Sequence, residues 1–518
     1  MRIYVAIVLA MAACGGDGDE LTATIDSGPV LGGKTGDVRH FMGIPFAAAP
    51  VGPLRFRVPQ PVEPWTDVRP AVESGSMCPQ TLSLAGPSND EDCLYLNVWT
   101  PSGAHDLPVM VWLHGGAFVY GSGSDKYYDS TLLAERGVVI VTINYRLGPF
   151  GFLAHPALSV DDPTYPTSGN YGLEDQRAAL EWVQRNIAAF GGDPRHVTLF
   201  GESAGGFSTC VHYLSSRSHG LFEAAISESG LCGMPDFAPL HATAEAQGLT
   251  LADKVGCPGG DANAVECLRA KTVDELMAAS AAPQIDDQLP GGLAYQPEVL
   301  PNLIPNVDGY VIEQPLRQAL LAGNYEPRPM ILGNTTDEGT MFLSALSAKE
   351  ITNEAEYRDA IAVRYPNAAD AIVARYPASA FPSPSAALAE ATGDAFFVCP
   401  TRFASRTLAD HGVAVYRYMF DHPLANPILP DLGVFHASEL PYVFGNDDFP
   451  LGRIDAPQLV DAMQSYWTQF GKVADPNSAD ATPWPTYAPG GTTLVLDAPI
   501  RTTTGYKDDL CDFWDSLQ

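Results

Sequence analysis

The feature that most constrains this chain is a serine between two segments of opposite character. The stretch "HVTLF", residues 196–200, is short, apolar and rich in β-branched and aromatic side chains, which predicts a buried strand. "GESAGG", residues 201–206, follows, and "FSTCVHYLSS" then predicts a helix. A strand, a tight glycine-rich turn and a helix make Ser203 a candidate nucleophile with an exposed hydroxyl. Gly-x-Ser-x-Gly also occurs by chance, so its surroundings must decide.

Apolar runs and amphipathic segments alternate along the rest of the chain. The runs "LPVMVWLHGG", "VVIVTINYRL", "PMILGNT" and "VAVYRYMF" predict buried strands. The segments "LEDQRAALEWVQRNIAAFGGDP" and "PQLVDAMQSYWTQFGKV" predict helices, the first with one apolar stripe of Leu173, Leu180, Val183 and Ile187. This alternation predicts an α/β fold with a mainly parallel sheet covered on both faces. Because no repeat or internal linker interrupts it, we expect residues 21–518 to form one domain.

The charge balance excludes two classes of partner. The chain has 61 acidic and 29 basic residues, for a formal net charge of −32. Such a surface repels nucleic acid and anionic lipid, so we expect neither as a partner. Solubility, or adaptation to salty surroundings, accounts for the acidity without a specific function.

The first residues predict export. The apolar run Ile3–Ala13 is too short to span a bilayer and has the length of a signal-peptide core. Cys14 and the acidic, glycine-rich residues after it resemble a bacterial lipoprotein signal, with residues 1–13 as signal peptide and 14–20 as a flexible tether. A lipid on Cys14 would anchor the protein at the outer membrane or on the periplasmic or cell-surface face. Met11 stands where such signals prefer leucine, and an ordinary signal peptide cut after "AMA" is the alternative.

Cysteine usage agrees with an oxidising compartment. The chain has nine cysteines. If Cys14 carries a lipid, eight remain, an even number that can pair completely. Disulfides persist outside the reducing cytosol, and the sequence has neither a Cys-x-x-Cys pair nor a His/Cys cluster with zinc-like spacing. We therefore expect disulfides rather than a metal site.

A serine nucleophile needs a base, an acid that orients the base, and an oxyanion hole. In α/β-hydrolases the chain order is serine, acid, histidine. The candidate acids are Asp337 and Glu338, directly after a predicted strand. Three histidines follow these acids: His411, His422 and His436. His411 lies in a predicted helix-to-strand turn, which suits a structural role. Chain order does not decide between His422 and His436. Upstream, "WLHGGAF" offers glycines after a strand, which suits backbone N–H donors for an oxyanion.

Together these segments resemble the type B carboxylesterase family, which includes cholinesterases and neuroligins on the α/β-hydrolase fold. The motifs that carry the resemblance are "EDCLYLNVWTP", "HGGAF", "NYRLGPFGFL", "GNYGLEDQRAALEWVQRNIAAFGGDP" and "LFGESAGG". The match extends from "GKTGDVRHFMGIPFAAAPVGPLRFRVP" to "CDFWDSL", nearly the whole predicted mature chain. The resemblance implies an exported bacterial serine esterase that needs no metal or organic cofactor, with helices flanking the central sheet and with loop and helical insertions.

The resemblance also selects among the candidate catalytic residues. Ser203 matches the family nucleophile. The family acid lies in an Asp-Glu-Gly context, which selects Glu338 over its neighbour Asp337. The family histidine lies in a Gly-x-x-His segment that leads to Phe-Gly, here "GVFHASELPYVFG", which selects His436 over His422.

Further residues follow from the same comparison. The backbone N–H groups of Gly116, Ala117 and Ala204 would bind the oxyanion; alanine at the second position occurs in some relatives. Glu202 and Ser229 match positions that the family places near the histidine as support. The alternative interpretation of Glu202 is an ordinary acid at a helix start.

The resemblance implies disulfides and ion pairs as well. Three disulfides match the family: Cys78–Cys93, Cys257–Cys267 and Cys399–Cys511. Cys210 and Cys232 remain, and we favour a fourth bridge over two free buried thiols. Two structural ion pairs match too: Arg55 with Glu91 and Arg146 with Asp394.

Departures from the family bear on the substrate. Cholinesterases carry a tryptophan shortly after the first loop cysteine, where it stacks on a quaternary ammonium, but "PQTLSLAGPSND" follows Cys78 here. We therefore expect small carboxylic esters other than choline esters. Neuroligin-like relatives bind partners and lack the serine, so an exported binding protein is the rival class. Lipase, polyester or toxin hydrolase, and cholinesterase-like specificities stay open, because pocket-lining loops set specificity.

Overall fold

The computed structural model describes most of the chain. The described ranges are 20–81, 86–280, 303–345, 351–425, 427–428, 432–479, 481–488 and 490–517. The predicted signal peptide, Cys14 and all but the last residue of the predicted tether lie outside the described residues.

Fourteen strands occur in these ranges. In chain order they are β1 Thr22–Ile25, β2 Gly28–Leu31, β3 Gly33–Thr35, β4 Val38–Pro45, β5 Arg69–Pro70, β6 Tyr95–Pro101, β7 Leu107–Leu113, β8 Val139–Ile143, β9 Gly192–Glu202, β10 Ala224–Glu228, β11 Met330–Thr335, β12 Val415–Phe420, β13 Thr492–Leu496 and β14 Arg501–Thr504.

Eleven of these strands form one sheet, in the order β14-β13-β12-β11-β10-β9-β7-β8-β6-β4-β3. The neighbours from β13 to β8 pair in parallel, whereas β14 at one edge and β6, β4 and β3 at the other pair antiparallel. Strands β1, β2 and β5 form a separate small sheet. The prediction of a mainly parallel central sheet is confirmed.

Fifteen α-helices lie in the described part of the chain. They are α1 Thr131–Ala134, α2 Gly148–Phe152, α3 Tyr171–Asn186, α4 Ala204–Leu214, α5 His241–Lys254, α6 Ala262–Ala270, α7 Val273–Ser280, α8 Leu316–Ala322, α9 Glu354–Arg364, α10 Ala369–Arg375, α11 Pro384–Gly393, α12 Cys399–Asp410, α13 Leu440–Phe444, α14 Pro457–Val473 and α15 Asp508–Asp515. None of the helices in these ranges combines the length and the apolar content needed to cross a membrane.

Local sequence accounts for the main elements. The apolar runs form β7, β8, β9, β11 and β12, as predicted, and α14 has the predicted bounds. The four residues of the predicted apolar stripe on α3 and its extension are fully buried. That helix ends where Gly191, at a φ of 88°, adopts the left-handed conformation that glycine tolerates best.

The large sheet separates two hydrophobic clusters. Along β7, Val109 and Val111 belong to one cluster, and Met110 and Trp112 belong to the other, because successive side chains point to opposite faces. Helices α3, α4 and α12 contribute side chains to the first cluster, and α13 and α14 contribute to the second. Cover on both faces explains why every residue of β8 is buried.

Four disulfides join the eight cysteines of the described ranges: Cys78–Cys93, Cys210–Cys232, Cys257–Cys267 and Cys399–Cys511. The last of them ties α12 to α15. Disulfides in this number are typical of extracellular or secreted proteins, because the cytosol keeps thiols reduced.

The predicted ion pair of Arg55 with Glu91 is present. Arg55 Nε donates to Glu91 Oε2 at 2.7 Å, and a second guanidinium nitrogen contacts the other carboxylate oxygen. Arg55 also donates to the backbone carbonyl of Arg269 at 3.0 Å, so the pair fastens the last turn of α6 to the loop before Cys93.

The prediction that Arg146 pairs with Asp394 is wrong. Arg146 Nε and Nη2 each donate to Asp175, at 2.7 Å to Oδ2 and 2.7 Å to Oδ1. Asp394 instead accepts from Lys507 Nζ at 2.6 Å. The reason is packing: the first turns of α3 bring Asp175 against the segment that follows β8, within reach of Arg146.

Breaking the Arg146–Asp175 pair tests how far it holds α3 in place. Arg146→Met leaves Asp175, which is 0% exposed, as an unpaired buried carboxylate. We expect the free energy of unfolding to fall by about 3–5 kcal/mol in urea titrations. Arg195→Met is the control, because it removes an exposed partner of Asp193. It should change the free energy of unfolding little, as is usual for surface ion pairs. Equal losses in the two variants would contradict this prediction.

Candidate active site

Ser203 lies on a strained turn between β9 and α4. Its φ of 55° and ψ of −118° fall outside the regions that ordinary residues adopt. Two hydrogen bonds hold the turn, from Ser203 N–H to Glu228 O at 2.9 Å and from Phe207 N–H to Ser203 O at 2.8 Å. Glycine is needed beside it, since a Cβ on Gly205 would lie 1.9 Å from Leu113 O. The local structure is that of a nucleophile elbow.

The loop after β7 adjoins this elbow. Gly116, Ala117 and Phe118 have φ values of 107°, 52° and 64°, three consecutive left-handed residues of which two are not glycine. The preceding Gly115 lies so close to the elbow that a Cβ on it would be 3.2 Å from Ser203 Cβ. Such a backbone persists only where its surroundings hold it.

Three backbone N–H groups lie at this junction without a partner. Those of Gly116, Ala117 and Ala204 donate no hydrogen bond to any residue in the described ranges. Ala204 opens α4, and the first N–H groups of a helix have no intrahelical acceptor. Unpaired N–H groups beside the half-buried hydroxyl of Ser203 are suited to bind negative charge that develops during a reaction.

Glu338 and His436 form a buried, hydrogen-bonded pair. His436 Nδ1 donates to Glu338 Oε2 at 2.6 Å. Glu338 Oε1 accepts from Thr335 N–H at 2.9 Å and from Ser229 Oγ at 2.5 Å. Because the carboxylate can only accept, the imidazole proton lies on Nδ1, and Nε2 is left free to accept one.

The neighbouring candidate acid, Asp337, has a structural part. Its backbone N–H donates to Val434 O at 2.9 Å, and its Oδ2 accepts from Val434 N–H at 2.7 Å. A single bridge also pairs Asp337 with Phe435. These bonds bring the loop that carries His436 alongside Glu338.

The other candidate histidines have different partners. His411 Nδ1 hydrogen-bonds a tyrosine hydroxyl at 2.8 Å. His422 lies between Asp497 and Asp455, at 2.9 Å from each. Of the three histidines that follow Asp337 and Glu338 in the sequence, His436 is therefore the one that pairs with a candidate acid.

The two supporting residues contact the pair from opposite sides. Glu202 Oε1 lies 3.1 Å from His436 Nε2, without the alignment of a hydrogen bond. Ser229 donates to Glu338, so it reaches the acid rather than the histidine. Within the described residues, no hydrogen bond joins Ser203 to His436 Nε2. Such contacts are often long or poorly aligned before a substrate binds.

Two further buried glutamates lie in this region, and sequence reasoning missed both. Glu228 Oε1 accepts from Trp467 Nε1 at 2.8 Å, and Glu439 Oε1 accepts from the Tyr418 hydroxyl at 3.4 Å. Both glutamates are 0% exposed. A signal was present, because Glu228 directly follows "AAIS", a stretch of small and apolar side chains, and Glu439 follows His436 by three positions.

Burial keeps these carboxyls from ionising readily. Burial, together with repulsion from Glu439, Glu338 and Glu228, raises the pKa of Glu202 well above its ordinary value. Burial and the carboxyls of Glu228 and Glu338 likewise raise the pKa of Glu439. Burial also raises the pKa of Glu228 to about 8, despite the opposing hydrogen bond from an indole N–H. Glu228 therefore keeps its proton at neutral pH.

An aromatic wall borders the imidazole. The rings of Phe342 and Phe397 lie 5.1 and 4.7 Å from that of His436, measured between centroids, and they stack on each other at 5.6 Å. Both sit on π-helical turns, Met341–Ala345 and Asp394–Val398. Sequence reasoning missed this wall too, although "DAFFVCP" places two aromatic residues just before a disulfide cysteine.

A mainly parallel sheet with a serine elbow at the carboxyl end of one of its strands is the α/β-hydrolase fold. The pattern of the carboxylesterase family matches residues 19–514, and the chain belongs to this family. It is a carboxylic ester hydrolase of the serine type. Among the described residues, no three His, Cys, Asp or Glu side chains are grouped so as to hold a metal ion.

Relatives match over most of their own length. Para-nitrobenzyl esterase of Bacillus subtilis (strain 168) is 37% identical over 505 residues, which cover 92% of this chain and 95% of that protein. Fumonisin B1 esterase of Sphingopyxis macrogoltabida is 36% identical over 513 residues, which cover 94% of this chain and 88% of that protein. Acetylcholinesterase of Bungarus fasciatus is 33% identical over 555 residues, which cover 99% of this chain and 89% of that protein.

The raised pKa of Glu228 predicts a pH-dependent stability. The folded protein keeps this proton up to a pKa of about 8, whereas the unfolded chain releases it near the ordinary value of 4.5. The stability contribution of Glu228 is therefore complete below that ordinary value and is lost as pH rises through about 8. Relative to Glu228→Gln, wild type should lose free energy of unfolding between pH 5 and pH 8 in urea titrations with disulfides intact. A difference that is constant or grows with pH would contradict this assignment.

Proposed function

We propose that Ser203, His436 and Glu338 form the catalytic triad of this ester hydrolase. The observation that carries the proposal is the 2.6 Å hydrogen bond from His436 Nδ1 to Glu338 Oε2, which leaves Nε2 free to accept a proton. The elbow supports it further, because its strained backbone places a half-buried serine hydroxyl beside a helix N-terminus.

In the acylation step, Ser203 Oγ attacks the ester carbonyl carbon while His436 Nε2 takes the hydroxyl proton. Glu338 holds the ring and stabilises the imidazolium that forms. The carbonyl oxygen becomes an oxyanion. It accepts hydrogen bonds from the backbone N–H groups of Gly116, Ala117 and Ala204. The tetrahedral intermediate then collapses: the carbon–oxygen bond to the alcohol breaks, and the imidazolium returns its proton to the departing oxygen.

In the deacylation step, His436 Nε2 takes a proton from water, and the resulting hydroxide attacks the acyl-enzyme carbonyl. A second oxyanion forms in the same place. Its collapse breaks the bond to Ser203 Oγ, which regains a proton from the imidazolium, and the carboxylic acid leaves. Ser229, which donates to Glu338 at 2.5 Å, supports the acid in both steps. Glu202, at 3.1 Å from Nε2, faces the protonated ring when it forms.

We propose small-molecule carboxylic esters with an apolar part as the substrates. The wall of Phe342 and Phe397 beside His436 offers an apolar surface to the acyl or alcohol group. Relatives named para-nitrobenzyl esterase and fumonisin B1 esterase agree with a general ester substrate. The sequence after Cys78 lacks an aromatic platform for a quaternary ammonium, which argues against choline esters.

Replacing the proposed nucleophile tests the triad. Ser203→Ala should lower kcat for p-nitrophenyl butyrate by about four orders of magnitude or more, because the covalent pathway is lost. Ser405→Ala is the control: this serine also lies on a helix-bearing part of the hydrolase domain, but it is fully buried, and its Oγ donates to Thr401 O at 2.8 Å within α12. Normal turnover by Ser203→Ala would reject the proposal. In wild type, turnover that rises from acetate through butyrate to octanoate and longer esters would favour a lipase.

We also propose that residues 21–518 form one exported hydrolase domain and that a lipid on Cys14 tethers it through residues 14–20. Support comes from the apolar leader before Cys14 and from the four disulfides, which are typical of proteins outside the cytosol.

The tether is tested by the location of the full chain in a bacterial host that processes lipoproteins. The natural chain should sediment with membranes and be released by detergent. Cys14→Ser removes the thiol that would carry the lipid. If the variant is no longer found with the membranes, the anchor is supported. Release of both proteins as soluble forms would instead support an ordinary signal peptide.

A further inference from the structure

A buried side-chain amide links two loops beside the proposed oxyanion hole. Gln80 is 0% exposed and lies two positions after Cys78, which is bonded to Cys93. Its Oε1 accepts from Gly121 N–H at 2.9 Å. Its Nε2 donates to Gly121 O at 3.0 Å and to Cys78 O at 3.0 Å. One side chain thus satisfies both backbone groups of Gly121, as a neighbouring strand would.

Gly121 packs against the start of the loop that carries the proposed oxyanion donors. A Cβ on Gly121 would lie 2.8 Å from Gly115 O and 2.5 Å from His114 Nδ1. His114 Nδ1 itself donates to Gly115 O at 2.8 Å. Gly115 in turn borders Ser203, as described above. A continuous series of contacts therefore runs from Gln80 to the nucleophile.

The oxyanion loop needs a restraint from outside itself. Ala117 and Phe118 both have positive φ, at 52° and 64°, which residues with a Cβ adopt rarely. Inside the loop, Gly116 O accepts from the N–H groups of Val119 at 3.0 Å and Tyr120 at 3.1 Å. These bonds close a turn, and Gly148 N–H attaches the far end of the loop to the rest of the protein by donating to Phe118 O at 2.7 Å. The bonds of Gln80 to Gly121 add a second attachment, on the side of the loop where Gly121 packs against Gly115.

We propose that Gln80 is a positioning residue for ester hydrolysis, because its amide holds Gly121 and so keeps the loop from Gly116 to Phe118 in the conformation that presents N–H groups to the oxyanion. This inference rests on the proposed function and adds to it a residue outside the triad. Oxyanion contacts strengthen in the transition state, so loss of the restraint lowers kcat far more than it changes KM.

The test replaces Gln80 with methionine, which has a similar length but neither a donor nor a strong acceptor. For p-nitrophenyl butyrate we expect kcat to fall by about tenfold to hundredfold, less than the loss of a whole oxyanion donor, and KM to change by less than about threefold. A trifluoromethyl ketone, which forms a tetrahedral adduct with the serine, should lose affinity by about the same factor as kcat/KM.

Gln176→Met is the matched control. Gln176 is likewise 0% exposed; its Nε2 donates to Ser208 Oγ at 3.1 Å, and its Oε1 lies 3.0 Å from His212 Nε2. We expect it to lower Tm about as much as Gln80→Met does, while kcat stays within about twofold of wild type. Gln80→Glu is the second test variant, for use if the methionine variant does not fold. It keeps an acceptor for Gly121 N–H but loses the donor, so its kcat should lie between those of wild type and Gln80→Met.

The outcomes separate this inference from the proposal on which it rests. Unchanged kcat and inhibitor affinity in a folded Gln80 variant would overturn it. Equal losses of kcat in the Gln80 and Gln176 variants would also overturn it, because they would report general destabilisation. Ser203→Ala, measured alongside, decides the larger question. An active Ser203→Ala rejects the triad itself, whereas an inactive one with unaffected Gln80 variants rejects only the role of Gln80.

Discussion

The strained turn at Ser203 is the constraint on which the rest of the site depends. A residue with a Cβ at a φ of 55° and a ψ of −118° costs about 1–3 kcal/mol and persists only where its surroundings hold it. Here the neighbouring strands hold it, through the bond from Ser203 N–H to Glu228 O and the close approach of Gly205 to Leu113 O. Both contacts require β7, β9 and β10 to end together at one edge. The parallel sheet, rather than the loop, therefore sets the position of the hydroxyl.

The acids of this protein have two different environments. Most of the groups behind the net charge of −32 are solvated at the surface. Glu202, Glu228 and Glu439 are buried, and burial raises the pKa of each; repulsion from neighbouring carboxyls adds to the shift for Glu202 and Glu439. Phe342 and Phe397 border the ring of His436. An imidazolium that forms during the reaction therefore meets an environment that excludes water.

Long-range pairing is where sequence reasoning was weakest. Arg146 was assigned to Asp394, but it pairs with Asp175 because α3 packs against the segment after β8. Glu228 and Glu439 were passed over, since a single acid in an apolar stretch does not reveal that its side chain is fully buried. Partner choice and burial depend on how distant elements pack, and no local pattern records that.

The sequence by itself determined the local structure and the residue types of the site. The strand–turn–helix around Ser203 follows from short-range preferences, and α14 was predicted with its observed bounds for the same reason. Chain order left His422 and His436 both open, and family resemblance favoured the second. Only the tertiary structure joins His436 to Glu338, across 98 positions, because the loop after β12 is held by bonds to Asp337. Local propensities act over a few residues, whereas the site is made by contacts that exist only once the sheet has formed.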